Sequence, residues 1–541
     1  MARTHHAPNL LMAKKKRKQV QQSRPFWRKL TGWQYFFVGM MVLLVTAVFT
    51  LTTYESYASV YDADYVGKEV CAECHTIMYS RWEQSPHANM THQPSAETVV
   101  GNFENGTWEL PPNAQLLPFD DQLPAMRTFT DGEAFYMALR RPGTAEFVPF
   151  QIAYVIGYQY RQTYLTLEEG GVLRRLPLQW SVERQEFFPY WNLQENSLPT
   201  LEDLWLQMTS LNSAWNLFCA RCHTTNLDII ARDPNHTVAV TEWTDEGIAC
   251  EACHGPGSHH TNYFSGNYVN RVVAFANSQL RGEPVAYIVN PRKVDRGESM
   301  SVCARCHGPD ITIATTEIYR QYEPGYSAEG RINDLSPYFQ QLPLEPGRTA
   351  PTVEVWADGS PRGIAMVFRS FIESECYEHS EPRCFDCHDP HNNGQPRVPG
   401  ILEPSDVSNR YCLSCHMELT EQIAEHTFHE VGEPGSYCYD CHMPNQIESI
   451  VSGVRRFTRS HWMSYIPDPQ NSVTFGLDNA PNACNECHTD ETPEWAVETM
   501  VEWYGPQSVG MVSRETAVYD ILAATFDLNQ PNGFACFPAD S

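Results

Sequence analysis

The sequence is short of positive charge. Its 541 residues hold 38 lysines and arginines against 65 aspartates and glutamates, a formal net charge of −27. Because binding to phosphates depends on basic side chains, this balance excludes nucleic acid as a partner. Charged residues make up only 19% of the chain and apolar residues 42%. That composition supplies a buried core and excludes wholesale disorder.

Long regular elements are not favoured either. The chain contains 31 glycines and 38 prolines, which are typical of many turns and short elements. Its 18 cysteines are too many for an ordinary cytosolic enzyme and too few for a small disulfide scaffold. The spacing of these cysteines must therefore decide between disulfides, zinc and haem.

The basic residues are concentrated at the N-terminus. Residues 1–60 hold nine basic residues and one acid, a net +8, whereas the remaining residues carry 29 basic and 64 acidic side chains, a net −35. Between them, Trp33 to Thr52 is free of charge and would span about 30 Å as a helix. We expect a cytoplasmic tail (1–32), a single transmembrane helix (33–54) and an external body, because basic residues stay on the cytoplasmic side. A cleaved signal peptide is the alternative.

The cysteines follow one repeated pattern. Cys-x-x-Cys-His occurs eight times and uses sixteen of the eighteen cysteines. Each copy has the form of a c-type haem attachment site, in which two thiols become thioethers to the porphyrin and the histidine ligates its iron. Motifs 1 to 8, in chain order, are Cys71/Cys74/His75, Cys219/Cys222/His223, Cys250/Cys253/His254, Cys303/Cys306/His307, Cys384/Cys387/His388, Cys412/Cys415/His416, Cys438/Cys441/His442 and Cys484/Cys487/His488.

Zinc sites and a disulfide framework are the alternatives for these cysteines. Neither explains why a histidine follows the second cysteine every time. The pattern therefore predicts eight covalently attached haem c groups. Such haems are attached after export, which agrees with a body on the periplasmic or outer face of a prokaryotic inner membrane. The two remaining thiols, Cys376 and Cys536, either form a disulfide or stay as buried apolar groups.

The second iron ligand on each haem must come from elsewhere in the chain. Ten further histidines lie beyond the apolar run, enough for eight distal positions. His391 and His260 follow His388 and His254 too closely to reach the other face of the same haem, so we expect them to ligate neighbouring haems. His92, His236 and His259 are equally consistent with an ordinary surface or core role. The distal ligands predicted from the residues are His87, His260, His391, His426 or His429, and His461.

The spacing of the motifs predicts a haem-packed body of short helices and irregular loops. A first haem region (66–94) precedes a segment rich in aromatic and β-branched residues, with turn signals at Asp131-Gly132, Pro142-Gly143 and Gly170-Gly171. We predict an inserted small antiparallel β subdomain there (95–215), which serves as a packing platform and not as a substrate domain. A seven-haem body (216–490) follows. In the C-terminal helical segment (491–541), one helix begins at Thr492-Pro493 and ends at Gly505, and Ser513 caps a second.

These motifs resemble a known family. Gly67-Lys68-Glu69-Val70 before motif 1, Ser85-Pro86-His87 after it, and the runs CARCHTTNL, GIACEACHGPGSHH, CARCHGP, CFDCHDPH, HTFHEVGEPGSYCYDCHMP and PNACNECHTD are similar to the octahaem block of the multihaem, doubled-CxxCH cytochromes often fused to tetratricopeptide repeats. The resemblance covers about Val66 to Gly505. It implies that His379 is also a ligand, together with His87, His260, His391 and His461. The N-terminal apolar run is an addition to that pattern, and only 53 residues follow His488, so the repeat array is missing.

Two functions fit this pattern. The first is a membrane-anchored electron carrier between a membrane partner, such as a quinol oxidoreductase or another cytochrome, and a periplasmic or extracellular partner. The second is an octahaem oxidoreductase that converts nitrite, hydroxylamine or tetrathionate at one open haem. No motif has lysine in place of the proximal histidine, as multihaem nitrite and tetrathionate reductases typically do. We therefore favour the carrier and assign no catalytic residue.

Overall fold

A computed structural model describes residues 31–53, 63–110, 123–189, 199–210, 213–265, 268–281, 287–308, 355–363, 366–391, 406–448, 457–463 and 466–510. The chain divides into two units, Met1–Glu55 and Ser56–Ser541. The second helix predicted after Ser513 and the cysteine Cys536 lie outside the described residues.

The first unit contains one helix, α1 (Gly32–Thr53), which coincides with the apolar run of the sequence. Its described side chains are exposed, among them Trp33 and Leu43. Within the described residues, no helix combines the length and apolar character that crossing a bilayer requires, so the predicted transmembrane helix is not confirmed.

The second unit is built from short helices, as its glycines and prolines predict. Local capping sets several of their ends: Thr200 forms a capping box with Asp203, and Asp468 caps a helix whose first residue is Pro469. The helices are α2 (Lys68–Ala72), α3 (Thr76–Trp82), α4 (Leu201–Thr209), α5 (Trp215–Phe218), α6 (Cys250–His254), α7 (Ser258–Ser265), α8 (Tyr268–Arg281), α9 (Arg296–His307), α10 (Met366–Ile372), α11 (Glu375–His379), α12 (Cys384–Cys387), α13 (Asp406–Leu413), α14 (Ile423–Thr427), α15 (Cys438–His442), α16 (Pro469–Phe475), α17 (Cys484–Cys487) and α18 (Pro493–Tyr504).

Antiparallel strands occupy the long gap between motifs 1 and 2, with shorter hairpins beyond it. The strands are β1 (Thr91–His92), β2 (Thr107–Trp108), β3 (Met126–Asp131), β4 (Ala134–Arg140), β5 (Phe147–Gln151), β6 (Tyr154–Ile156), β7 (Arg161–Leu167), β8 (Leu173–Ser181), β9 (Glu186–Pro189), β10 (Thr224–Thr225), β11 (Asp228–Arg232), β12 (Ala239–Glu242), β13 (Asp245–Glu246), β14 (Asn445–Glu448) and β15 (Phe457–Arg459). Pro149 is tolerated within β5 because β5 lies at a sheet edge.

The inserted β region differs from the single small sheet that the sequence predicts. It forms a four-stranded sheet in the order β2-β3-β4-β5 and a five-stranded sheet in the order β1-β6-β7-β8-β9. Side chains from both sheets and from α4 share one apolar core, which includes Met137, Tyr164 and Leu204. The two sheets therefore form a layered core of their own, and the domain boundaries given above stay predictions.

The segments that carry motifs 3 to 8 contain much less buried apolar material. The core of the β region has fifteen buried apolar residues, whereas the largest cluster around motifs 4 and 5 has five, among them Met300 and Phe371. This contrast agrees with the expectation that haem groups supply much of the interior of the body.

Buried polar side chains hold distant segments together in the second unit. The carboxylate of Glu251 accepts hydrogen bonds from the backbone amides of Val66, Gly67 and Gly257, which joins the motif 1 region to motif 3. The buried Asn216 side chain accepts from the amide of Leu173 and donates to the carbonyl of Ala239. It thereby fixes the helix before motif 2 against the five-stranded sheet.

Candidate haem-binding sites

The haem-binding motifs lie on short helical turns. In motif 5 the amide of His388 donates to the carbonyl of Cys384 at 2.8 Å, and His488 is bound in the same way to Cys484 at 3.0 Å. Residues three and four positions apart project from the same face of a helical turn. The two thiols and the imidazole of a motif are therefore presented together, as attachment to one porphyrin requires.

Six of the eight proximal histidines face a second histidine from another part of the chain. The separation of the ring centroids varies little, whereas the angle between the ring planes varies widely. The pairs are His75–His260 (6.4 Å, 22°), His87–His307 (6.1 Å, 84°), His254–His391 (6.1 Å, 14°), His388–His461 (6.1 Å, 32°), His426–His442 (6.3 Å, 6°) and His429–His488 (6.3 Å, 44°).

This separation fits a metal ion shared by two imidazoles. A histidine nitrogen binds a metal at about 2 Å, so two rings on opposite sides of one ion have centroids about 6 Å apart. A common central atom explains a constant distance at any ring angle, which direct ring packing would not. The donor set fits haem iron, because two opposed imidazoles leave the four equatorial positions to the porphyrin nitrogens. Within the described residues, no group of three or more histidine, cysteine, aspartate or glutamate side chains is arranged to hold a metal ion by itself.

Comparisons with known proteins agree with this donor set. The family model described as "Doubled CXXCH motif" matches residues 379–421, and that of "Cytochrome c554 and c-prime" matches residues 70–105 and 200–255. A relative, the cytochrome c-type protein NrfB of Escherichia coli, is 24% identical over 166 residues, which cover 27% of this chain and 88% of that protein. The chain is a multihaem c-type cytochrome.

A solved structure, that of the outer cell wall cytochrome OcwA, also aligns with the cytochrome. The alignment covers 85% of this chain and 90% of that one, at 17% sequence identity and a TM-score of 0.44. The number of haems stays a prediction from the eight motifs.

The histidine pairs connect different motifs, in the manner that the sequence spacing indicates. His260 lies opposite His75 and not opposite His254, the motif histidine that precedes it. His391 lies opposite His254 and not opposite His388. Each pair therefore joins two segments that are distant in the chain. Which histidine ligates which haem is a prediction from these distances.

The surrounding protein keeps the paired imidazoles neutral. Desolvation lowers the pKa of His254, His307 and His461 to about 4. A neutral imidazole has one nitrogen lone pair free for a metal. In His254 the Nδ1–H donates to the carbonyl of Val289 at 2.7 Å, which leaves Nε2 as the ligand atom.

Two proximal histidines, His223 and His416, have no partner histidine among the described residues, although all ten outer histidines are described. The imidazole of His223 instead lies beside the indole of Trp215, with centroids 6.0 Å apart. Its pKa is lowered to about 4 by desolvation and by the positive charge of Arg161. The imidazole of His416 is exposed and lies 3.6 Å from the carboxylate of Glu418.

Arginines next to motif 2 were not found by reasoning from the sequence. Arg175 hydrogen-bonds to the thiol of Cys219, and Arg161 acts on both Cys219 and His223 electrostatically. Both arginines belong to adjacent strands, β7 and β8, of the five-stranded sheet. No local sequence signal marks them, because only the antiparallel pairing of those strands with the motif 2 segment brings them to this site.

The other predicted or possible ligands lie outside these six pairs. His379, which the family resemblance implied as a ligand, ends α11 and takes no part in a histidine pair. His92 hydrogen-bonds to the side chain of Asn89 at 3.1 Å. His236 packs on Phe218, and His259 packs on Tyr287.

Thiols of different motifs approach one another closely. Hydrogen-bonding contacts join the first cysteines of motifs 1 and 3, of motifs 4 and 5, and of motifs 6 and 7. In the free-thiol form, the contact with Cys250 lowers the pKa of Cys71 and raises that of Cys250. Conversion to thioethers abolishes both titrations, so the contacts matter as a measure of distance between attachment sites. The remaining described thiol, Cys376, forms no disulfide with any described cysteine.

The structure corrects the expected placement of three predicted attachment cysteines, Cys74, Cys306 and Cys415. A haem-packed body would bury these thiols, yet Cys74 and Cys415 are exposed and Cys306 is only half-buried. Each is the second cysteine of its motif, and the hydrogen-bonding contacts between motifs are made by the first cysteine, three residues earlier. The second thiol therefore lies on the outer part of the turn. Haem attachment at these three cysteines stays a prediction from the motif.

Proposed function

We propose that this multihaem cytochrome conducts electrons through eight covalently attached haems between a membrane redox partner and a periplasmic or extracellular partner. The observation that carries the proposal is the set of six histidine pairs, each of which joins two chain segments. Paired imidazoles complete the axial positions of a haem iron, which favours outer-sphere electron transfer over substrate binding.

Contacts between motifs support a continuous sequence of haems. Besides the three cysteine contacts, Arg305 of motif 4 donates to the carbonyl of Ala252 in motif 3, and Asn445 donates to Glu486 of motif 8 at 3.2 Å, three residues after His442 of motif 7. The thiol of Cys387 in motif 5 lies within electrostatic range of Cys412 in motif 6. The proposed order of haems is therefore 1, 3, 4, 5, 6, 7 and 8.

Haem 2 forms a side branch in this proposal. The thiol of Cys222 contacts the carbonyl of Arg305 in motif 4 at 3.9 Å. On its other sides, motif 2 packs against the five-stranded sheet through Ala220 and Leu165. Electrons reach this site from haem 4, and the sheet closes it on the far side.

Attachment to a membrane through α1 is part of the same proposal. It is supported by the charge-free run Trp33 to Thr52, by the basic residues before it and by the exposure of the described apolar side chains of α1. Protease added to intact cells should release the haem-containing body if this topology holds. Haem that stays protected from protease would contradict it.

The acidic body should favour a basic redox partner. A net charge of −35 outside residues 1–60 raises the association rate of a cationic carrier protein at low ionic strength. Stopped-flow mixing of the reduced cytochrome with a basic cytochrome should show rapid exchange that slows as salt is added. Spectroelectrochemical titration should show reversible reduction over a broad range of potentials. Irreversible reduction or exchange that does not respond to salt would contradict the proposal.

A second function is favoured by one specific observation, the lack of a histidine opposite His223 among the residues that the structure describes. Arg161 and Arg175 bring two positive charges to that motif, so the site suits a small anion such as nitrite or tetrathionate. Turnover of nitrite, hydroxylamine or tetrathionate at about 1 per second or faster would establish an octahaem oxidoreductase. Arg175→Gln should then reduce turnover, whereas Arg184→Gln, on an exposed turn of the same sheet, should leave it unchanged.

A further inference from the structure

One short segment supplies the facing histidines of two motifs. His426 lies opposite His442 of motif 7, and His429 lies opposite His488 of motif 8, each at 6.3 Å. The two histidines are only three residues apart. On a continuous helix they would project from the same face, so they could not address two separate sites.

The backbone of Phe428 separates the two directions. Helix α14 ends at Thr427, and Phe428 then adopts a left-handed conformation with φ 56° and ψ 21°. Such a conformation is uncommon for a bulky side chain, so surrounding contacts must hold it in place. The turn it makes directs His429 away from His426.

The end of α18 supplies those contacts. The ring of Phe428 stacks on Trp503 with centroids 4.6 Å apart and ring planes 9° apart. The Tyr504 hydroxyl donates to the backbone carbonyl of His426 at 2.7 Å. Trp503 also packs edge-on against the imidazole of His429 at 5.8 Å. One turn of helix therefore contacts all three residues of the segment.

We propose that Trp503 and Tyr504 are positioning residues that hold the distal ligands of haems 7 and 8 together, so that the ligation of these two haems is controlled by one helix end. This inference rests on the proposed haem identity of the sites. A shared hold has a consequence that separate ligand loops would not have. Its loss must open two haems at once.

Carbon monoxide binding to the reduced full-length cytochrome tests this inference, because the gas occupies a ferrous haem whose distal ligand has been released. Trp503→Ala should bind two more equivalents of carbon monoxide per chain than the wild type, with unchanged covalent haem content by mass. Phe428→Leu should give the same two equivalents, and the double variant should add nothing further. Trp503→Phe, which keeps an aromatic stack, should restore wild-type binding.

Two variants serve as controls. Glu502→Ala changes an exposed residue of the same helical turn and should leave carbon monoxide binding at the wild-type level. Gly435→Ala places a Cβ within 2.4 Å of the His429 imidazole and should add only one equivalent, at haem 8. Wild-type binding in Trp503→Ala, or a gain of a single equivalent, would overturn the shared hold. A wild-type chain without covalent haem would instead contradict the proposed function itself.

Discussion

Replacement of His391 by alanine distinguishes the ligation seen in the structure from the one suggested by chain order. His391 follows motif 5 directly, yet its imidazole lies 6.1 Å from that of His254 in motif 3. The variant should therefore open the haem of motif 3. One iron of eight loses its distal ligand, so about one-eighth of the ferric low-spin signal should become high-spin. Covalent haem content should not change, since every thioether is untouched.

Spin quantification by electron paramagnetic resonance measures this change, and a double variant assigns it to a haem. His461 lies opposite His388 of motif 5. If His391 and His461 ligate different haems, the double alanine variant should convert about two-eighths of the signal, the sum of the two single changes. His259→Ala is the matched control, because His259 packs on Tyr287 and belongs to no histidine pair among the described residues.

Two results would refute this reasoning. A wild-type spectrum for His391→Ala would remove His391 from the set of ligands. A double variant that converts no more signal than either single variant would place both histidines on one haem, which the 6.1 Å separations do not allow.

Three further predictions concern the protein around the haems. Glu251→Ala leaves three backbone amides without their acceptor and should lower the free energy of unfolding by at least about 2 kcal/mol, seen as a lower thermal midpoint. Asn216→Ala should lower it by about 1–3 kcal/mol and increase protease cleavage between motif 2 and the sheet. Desolvation raises the pKa of Asp358, so stability should fall as pH rises through that pKa, and Asp358→Asn should flatten this dependence in thermal melts from pH 4 to pH 8.

Local sequence signals predicted the local features of the structure. The helix from Thr492 to Gly505 is present as α18, because Thr492 caps it and Gly505 ends it in a positive-φ conformation. The turn at Asp131-Gly132 joins β3 to β4 as expected. The motifs form helical turns because their five residues are sufficient to define one. In each case the determining contacts lie within a few residues.

Long-range features could not be derived in the same way. The sequence predicts a single small sheet, whereas the strands divide between two sheets that share a core. The division depends on which strands pair across long loops, and alternating side-chain patterns do not encode that choice. The position of Arg175 beside Cys219 has the same origin, because it results from the packing of β8 on the motif 2 segment. The histidine pairs, for example His75 with His260, likewise join residues that no local pattern relates.

Ligation between distant segments also explains how a body with little apolar core can hold one structure. A haem attached to one motif and ligated by a histidine of another closes a long loop, as a cross-link does. The six histidine pairs would impose six such closures on segments whose own apolar clusters contain five buried residues or fewer around motifs 4 and 5. The β region needs no such closure, because its fifteen-residue core is formed by protein alone. Haem attachment should thus be required for the fold of the body and not for that of the β region.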